Sequence, residues 1–196
     1  MKKLTKRSLI ILGLFTSLLS FANDEHKTIK EKEPKVTNVS FKNVKLGSKL
    51  SIKDSNGLVL YKESIVKKGA YSKGFDLTAL PNREYYFELD SDLAIVIIPF
   101  NVVSNQVKFR KEEEFTIYKP NIRVKDGIVY ISRRSDSEIP VNYRIYYQKN
   151  NDLVYSERLE SVKNFKRIYD FSTSEKGTYL FVFNVEGRKF SQIFKI

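Results

Sequence analysis

The sequence predicts an all-β protein made of two antiparallel β-sandwiches in tandem. Three observations lead there. Apolar residues alternate with polar ones at period two over most of the chain, the signature of half-buried strands. Turn residues interrupt that alternation at short intervals, as hairpin-connected strands require. The stretch Leu50–Glu63, LSIKDSNGLVLYKE, also recurs as Tyr143–Glu157, YRIYYQKNNDLVYSE. Each copy reads as strand, turn, and strand ending in apolar-Tyr-x-Glu, so the repeat unit is a hairpin within a duplicated β domain.

The first 22 residues stand apart from that pattern. Lys2, Lys3, Lys6 and Arg7 precede an 11-residue apolar run, Leu9–Leu19, and Ser20-Phe21-Ala22 supplies a small-residue cleavage site. This is the grammar of an export signal, and the apolar run is too short to span a bilayer as a helix. Residues 23–35 follow as a polar, flexible lead-in containing the chain's one histidine, His26. Removing the leader lowers the net charge from +12 to +8, which favours anionic partners. The chain has no cysteine. Thiolate chemistry, disulfides and a lipidated N-terminal Cys are therefore excluded, and two small cores must supply the stability.

The first sandwich is expected over residues 36–118. Val39 and Phe41 alternate with polar residues, then Leu50 and Ile52 lead to Asn56-Gly57, a hairpin signal of the primed-turn type. After Leu58, Leu60, Phe75 and Leu77, the strand 84–89 places Tyr85, Phe87 and Leu89 inward and Glu84, Tyr86 and Glu88 outward. Leu93–Ile98, LAIVII, has no polar face. Such a strand needs cover on both sides. We expect Leu93, Ile95 and Ile97 in the core, with Ala94, Val96 and Ile98 meeting the outward Leu180 and Val182 in one buried surface between the sandwiches; the alternative is that the outward residues form an exposed partner patch.

The second sandwich is expected over residues 119–196, with a hairpin at Asp126-Gly127. Tyr143, Ile145 and Tyr147 face in, while Arg144, Tyr146 and Gln148 face out. The longer turn near Asn150 returns through Leu153, Tyr155 and Leu159. Tyr179, Phe181, Phe183 and Val185 then face in, leaving Leu180 and Val182 outward, and Gly187 turns the chain towards Phe190 and Phe194. About seven strands per sandwich result.

Phe75-Asp76-Leu77-Thr78-Ala79-Leu80-Pro81, followed by Tyr85 and Phe87, resembles the corner of fibronectin type III and related immunoglobulin-like domains, where a tyrosine hydroxyl closes the turn between sheets. In the second unit, Pro120-Asn121, Val124-Lys125-Asp126-Gly127, Leu153-Val154-Tyr155 and Lys176-Gly177-Thr178-Tyr179 resemble the C-terminal sorting domain of type IX secretion cargo in Bacteroidetes. The usual second proline, a glycine in the turn at 150–152 and a basic tail are missing. The resemblance implies a small secreted immunoglobulin-like protein of that group, or a sorting module.

Chemistry has few candidates. His26 lies in the lead-in, away from any partner for a catalytic triad. Asp90 and Asp92 read as turn residues rather than calcium ligands, and Glu112-Glu113-Glu114 as a solvated loop. We therefore expect no catalytic residue, cofactor or metal. The expected function is an exported, non-enzymatic binding or structural module in the periplasm, at the cell surface or outside the cell. The alternatives are the sorting module and a carbohydrate-active hydrolase. The candidate contact residues are Tyr86, Tyr146, Leu180 and Val182, since outward tyrosines beside cations suit an anionic glycan or a surface protein. Nucleic acid is not expected, and a membrane would be reached only through an uncleaved leader.

Overall fold

A computed structural model describes residues 36–196 of the chain. The leader and the lead-in, with His26, lie outside the described residues. Apart from one short 3₁₀ turn, Lys111–Glu113, every regular element described is a β-strand. The class expected from alternation is the class observed.

The first half contains β1 (Val36–Val44), β2 (Lys49–Asp54), β3 (Val59–Ser64), β4 (Gly69–Asp76), β5 (Arg83–Asp90), β6 (Ala94–Val103), β7 (Gln106–Phe109) and β8 (Phe115–Tyr118). Strands β1 and β4 make one sheet, and the other runs β3-β2-β5-β6-β7. Strands β7 and β8 share one edge of β6, pairing with Phe100–Val103 and Ala94–Ile97 respectively. The second half contains β9 (Asn121–Lys125), β10 (Ile128–Arg133), β11 (Ile139–Tyr147), β12 (Asp152–Val162), β13 (Phe165–Asp170), β14 (Thr178–Val185) and β15 (Arg188–Lys195). Its sheets run β13-β10-β9 and β12-β11-β14-β15. All neighbours pair antiparallel.

Each half has its own core. Val39 and Phe41 pack on Leu50, Ile52, Tyr85, Phe87 and Phe100 in the first. Val129 and Ile131 pack on Tyr143, Ile145, Phe181 and Phe183 in the second. The inward sets expected on β5, β11 and β14 are the observed ones.

The expectation for Leu93–Ile98 needs one correction. The strand is covered on both faces, but the faces are exchanged. Val96, Ile98, Phe100 and Val102 point into the first core. Ile95 and Ile97 point the other way and join Ile117, Tyr86 and Phe190 of β15 in a third apolar cluster between the halves. Leu93 sits before the strand and is 55% exposed. Side chains alternate strictly along a strand, so the residues were paired correctly; local sequence says nothing about which set faces which neighbour. Leu180 and Val182 take no part in this junction.

Turn chemistry follows backbone requirements. Asp126-Gly127 is a two-residue primed turn, with both residues at positive φ (51° and 80°) between the paired Lys125 and Ile128. Asn56-Gly57 is different. Only Gly57 is left-handed (φ 82°), and Asp54 N–H donates to the Leu58 carbonyl across residues 55–57. The Asp54 carboxylate also accepts from the N–H groups of Asn56 and Leu58. This is a three-residue loop with a bulge, which needs the glycine at its last position.

Two tyrosines close the turns that lead into β5 and β14. The Tyr85 hydroxyl donates to the Pro81 carbonyl at 2.8 Å, and the Tyr179 hydroxyl to the Glu175 carbonyl at 2.7 Å. Two glutamates bridge the sheets at their outer edges. Glu63 on β3 accepts from Lys73 and Tyr71 on β4, and from Tyr61. Glu157 on β12 accepts from Arg167 on β13 and from Tyr143, whose oxygen in turn accepts from the Tyr169 hydroxyl.

Candidate functional site

Register assembles the most distinctive surface of the second half. Directly opposed residues of an antiparallel pair point to the same side of the sheet. Leu153 of β12 faces Tyr146 of β11, Tyr146 faces Leu180 of β14, and Leu180 faces Ile193 of β15. These four side chains form one apolar row across the outer face. Leu153 and Ile193, at its ends, are 54% and 62% exposed.

The rows beside it are polar and basic. The next reads Ser156, Arg144, Val182, Ser191, and the one after it Arg158, Asn142, Asn184, Lys189. No acidic residue occurs in the three rows. Arg158 is engaged by Glu160 at 2.9 Å, whereas Arg144 and Lys189 make no ion pair among the described residues. Between them lies a hollow of about 410 Å³ lined by Arg144, Tyr146, Leu180, Val182, Asn184 and Lys189. An aromatic ring, two aliphatic side chains and two uncompensated cations therefore meet in one place. That combination can stack on a flat apolar ligand face and attract an anionic group beside it.

Three of the four sequence candidates, Tyr146, Leu180 and Val182, are brought together here, with Val182 buried at 7% exposure in the floor of the hollow beneath its neighbours. Tyr86 is not with them. It lies at the junction of the halves, packed against Ile95, Ile97 and Ile117 and partly buried. The reason is its neighbour Glu88, which alternation places outward but which is only 5% exposed. Glu88 accepts from Lys53 of its own half at 2.6 Å and from Arg188 of the second half. Burial alone pushes this carboxyl up; the hydrogen bonds from Arg188 and Lys53 outweigh it and hold the group below the usual carboxylate range. Tyr86 thus helps fix the halves to each other.

Arg144, Lys189, Leu153 and Ile193 complete the face, and sequence reasoning did not gather them. Their signal was present in the alternation of each strand. The missing quantity was the register between strands, which depends on the bulge between Ile145 and Tyr146. Asp90, at the turn between β5 and β6, is engaged by Lys119.

No family model matches the chain, and no curated protein matches it. Among solved structures the chain is similar to a biofilm-associated protein, BSP domain, at 12% identity and a TM-score of 0.29. The match covers 83% of this chain and 27% of that one, so the chain spans about a quarter of that protein's length. At that score the likeness carries no argument about function.

Proposed function

We propose that the chain is an exported, non-enzymatic module of immunoglobulin-like or fibronectin type III-like sandwiches, and that it binds an anionic glycan outside the cytoplasm. The observation that carries this reading is the register-built outer face of the second half. Its row Leu153–Tyr146–Leu180–Ile193 offers a flat apolar strip, and the adjoining Arg144 and Lys189 have no carboxylate partner among the described residues. A pyranose ring presents a C–H face suited to Tyr146, and a uronate or sulfate on the same or the next residue reaches the cations. The tyrosine-closed corners at Tyr85 and Tyr179 support the finer sandwich assignment.

The test is calorimetric titration of the purified mature protein with uronate-containing, sulfated and neutral oligosaccharides of matched length. Acidic chains should bind and neutral ones should not. Affinity should fall as salt rises, and Tyr146→Ala and Arg144→Ala should each weaken binding about tenfold, equivalent to ~1.4 kcal/mol. Equal binding of neutral chains, or variants indistinguishable from the parent, overturns the reading. Recovery of the exported protein without residues 119–196 would replace it with the sorting function.

A further inference from the structure

The two halves are built alike, but the first has no counterpart of β9 among the described residues, while its β7 and β8 have none in the second. By pairing, β1 and β4 correspond to β10 and β13, and β2, β3, β5 and β6 to β11, β12, β14 and β15. In the second half, β9 pairs along the far edge of β10 and closes the sandwich there. It contributes little apolar material: Ile122 packs against the core, while Val124 is exposed. In the first half the far edge of β1 pairs with no strand among the described residues.

The opening left there is visible. A hollow of about 290 Å³ lies along that edge, walled by Asn38, Val39 and Ser40 of β1, with Ile98 and Phe109 as its apolar floor. Lys111 and Glu114 stand at its rim. It occupies the place in the first half that β9 occupies in the second, between the outer strand of the small sheet and the β6 side of the large one. An unpaired edge beside an uncovered apolar floor is the arrangement that accepts an added strand.

We infer that the open edge of β1 is a docking slot for an extended segment of another protein chain, added as a third strand antiparallel to β1. The strand β9 shows what fits. About five residues suffice, with one or two aliphatic side chains at alternate positions pointing towards Ile98 and Phe109. The opposite face of the added strand lies beside Asn38, Ser40 and Lys42, all exposed. Lys42 makes no ion pair among the described residues, so an acidic side chain in the cross-strand position is favoured. The slot is separate from the glycan face, which belongs to the other half.

The probe is a blocked seven-residue peptide alternating valine with glutamate, added to the full chain and followed by amide hydrogen exchange and NMR. Binding should slow exchange at alternate β1 amides at least tenfold and shift the resonances of Ile98 and Phe109. The same peptide with serine for valine should not bind. Lys42→Glu, a surface change, should weaken the glutamate peptide about tenfold and favour its lysine counterpart. The inference fails if alternate β1 amides exchange slowly before any peptide is added, because the edge is then already closed. It also fails if the peptide perturbs only the Tyr146 face, or if its affinity ignores the charge at position 42.

Discussion

Glu63 and Glu157 hold equivalent places in the two halves, and each is met by a cation ten residues further along the chain, Lys73 and Arg167. Both carboxylates sit on the outermost strand of the larger sheet, and both cations on the smaller sheet opposite. At that edge the sandwich has no backbone bonds between its layers. The pair, with its tyrosines, is what ties them. Arg167 uses two nitrogens on Glu157, the forked geometry that distinguishes arginine from lysine.

These clamps give the stability a defined dependence on pH. Burial pushes the Glu63 carboxyl up, but hydrogen bonds from Lys73, Tyr61 and Tyr71 outweigh it and hold the group at about 2. A carboxyl lowered on folding contributes stability that is complete above its unfolded value and lost as pH falls through the folded one. The urea midpoint of the parent should therefore exceed that of Glu63→Gln by a constant amount above about pH 5. The gap should close between there and pH 2. A gap that is the same at pH 7 and pH 2.5 would show that the clamp acts through shape alone.

The corner tyrosines offer a cleaner measurement. Tyr85→Phe and Tyr179→Phe each delete one hydroxyl that donates to a carbonyl four residues earlier. Each should cost ~1 kcal/mol in chemical denaturation. The residues belong to separate cores, so the double variant should cost the sum. A strongly non-additive result would mean that the two corners communicate through the junction.

The junction itself is tested by Ile97→Asp and Arg188→Ala. Ile97 is 2% exposed between the halves and stands directly across from Glu88, so a carboxylate there sets a second buried negative charge beside one that already engages Lys53 and Arg188. We expect a loss of ~3 kcal/mol or more and a larger radius of gyration in X-ray scattering. Arg188→Ala should cost less, since Lys53 remains on Glu88. An unchanged radius in both variants would show that the halves are held by something other than this cluster.

Gly57→Val probes the first hairpin. The glycine has φ 82°, and nothing lies within 4 Å of where a Cβ would stand. Any cost is therefore one of backbone conformation, about 1–3 kcal/mol. Gly57→Asn, which tolerates the left-handed region better, should recover most of it. Equal melting temperatures for the two variants would contradict the observed turn.

How far the sequence could be read follows from the range of each interaction. Alternation along one strand is local, so the inward sets at Tyr85–Leu89 and Tyr143–Tyr147 were legible, as were the turns at Asp126-Gly127 and Gly187. The Tyr85 corner was legible because its residues are sequence neighbours. Contacts a hundred residues apart were not. Nothing in the stretch around Glu88 shows that Arg188 will cover it, so alternation alone leaves Tyr86 on free surface. The reversal of faces at Leu93–Ile98 has the same origin. The candidate face was half legible: Tyr146, Leu180 and Val182 were named from alternation, but that they meet Arg144 and Lys189 is a property of register.

The connection between the halves is short. Strand β8 ends at Tyr118 and β9 begins at Asn121. The Lys119 N–H donates to the Leu93 carbonyl, and the Pro120 carbonyl accepts from Gln192. Both connecting residues are thereby anchored, one to each half, and no slack is left. A molecule so joined works as a ruler. If a glycan occupies the face around Tyr146 while a strand lies along β1, the span between them is set by this chain and does not fluctuate with a linker. For a partner carrying both ligands, the local concentration of the second after the first has bound then depends on the partner's own reach alone. Inserting a few flexible residues after Lys119 in the Ile97→Asp background, where the junction cluster is also opened, would blunt that discrimination without altering either site.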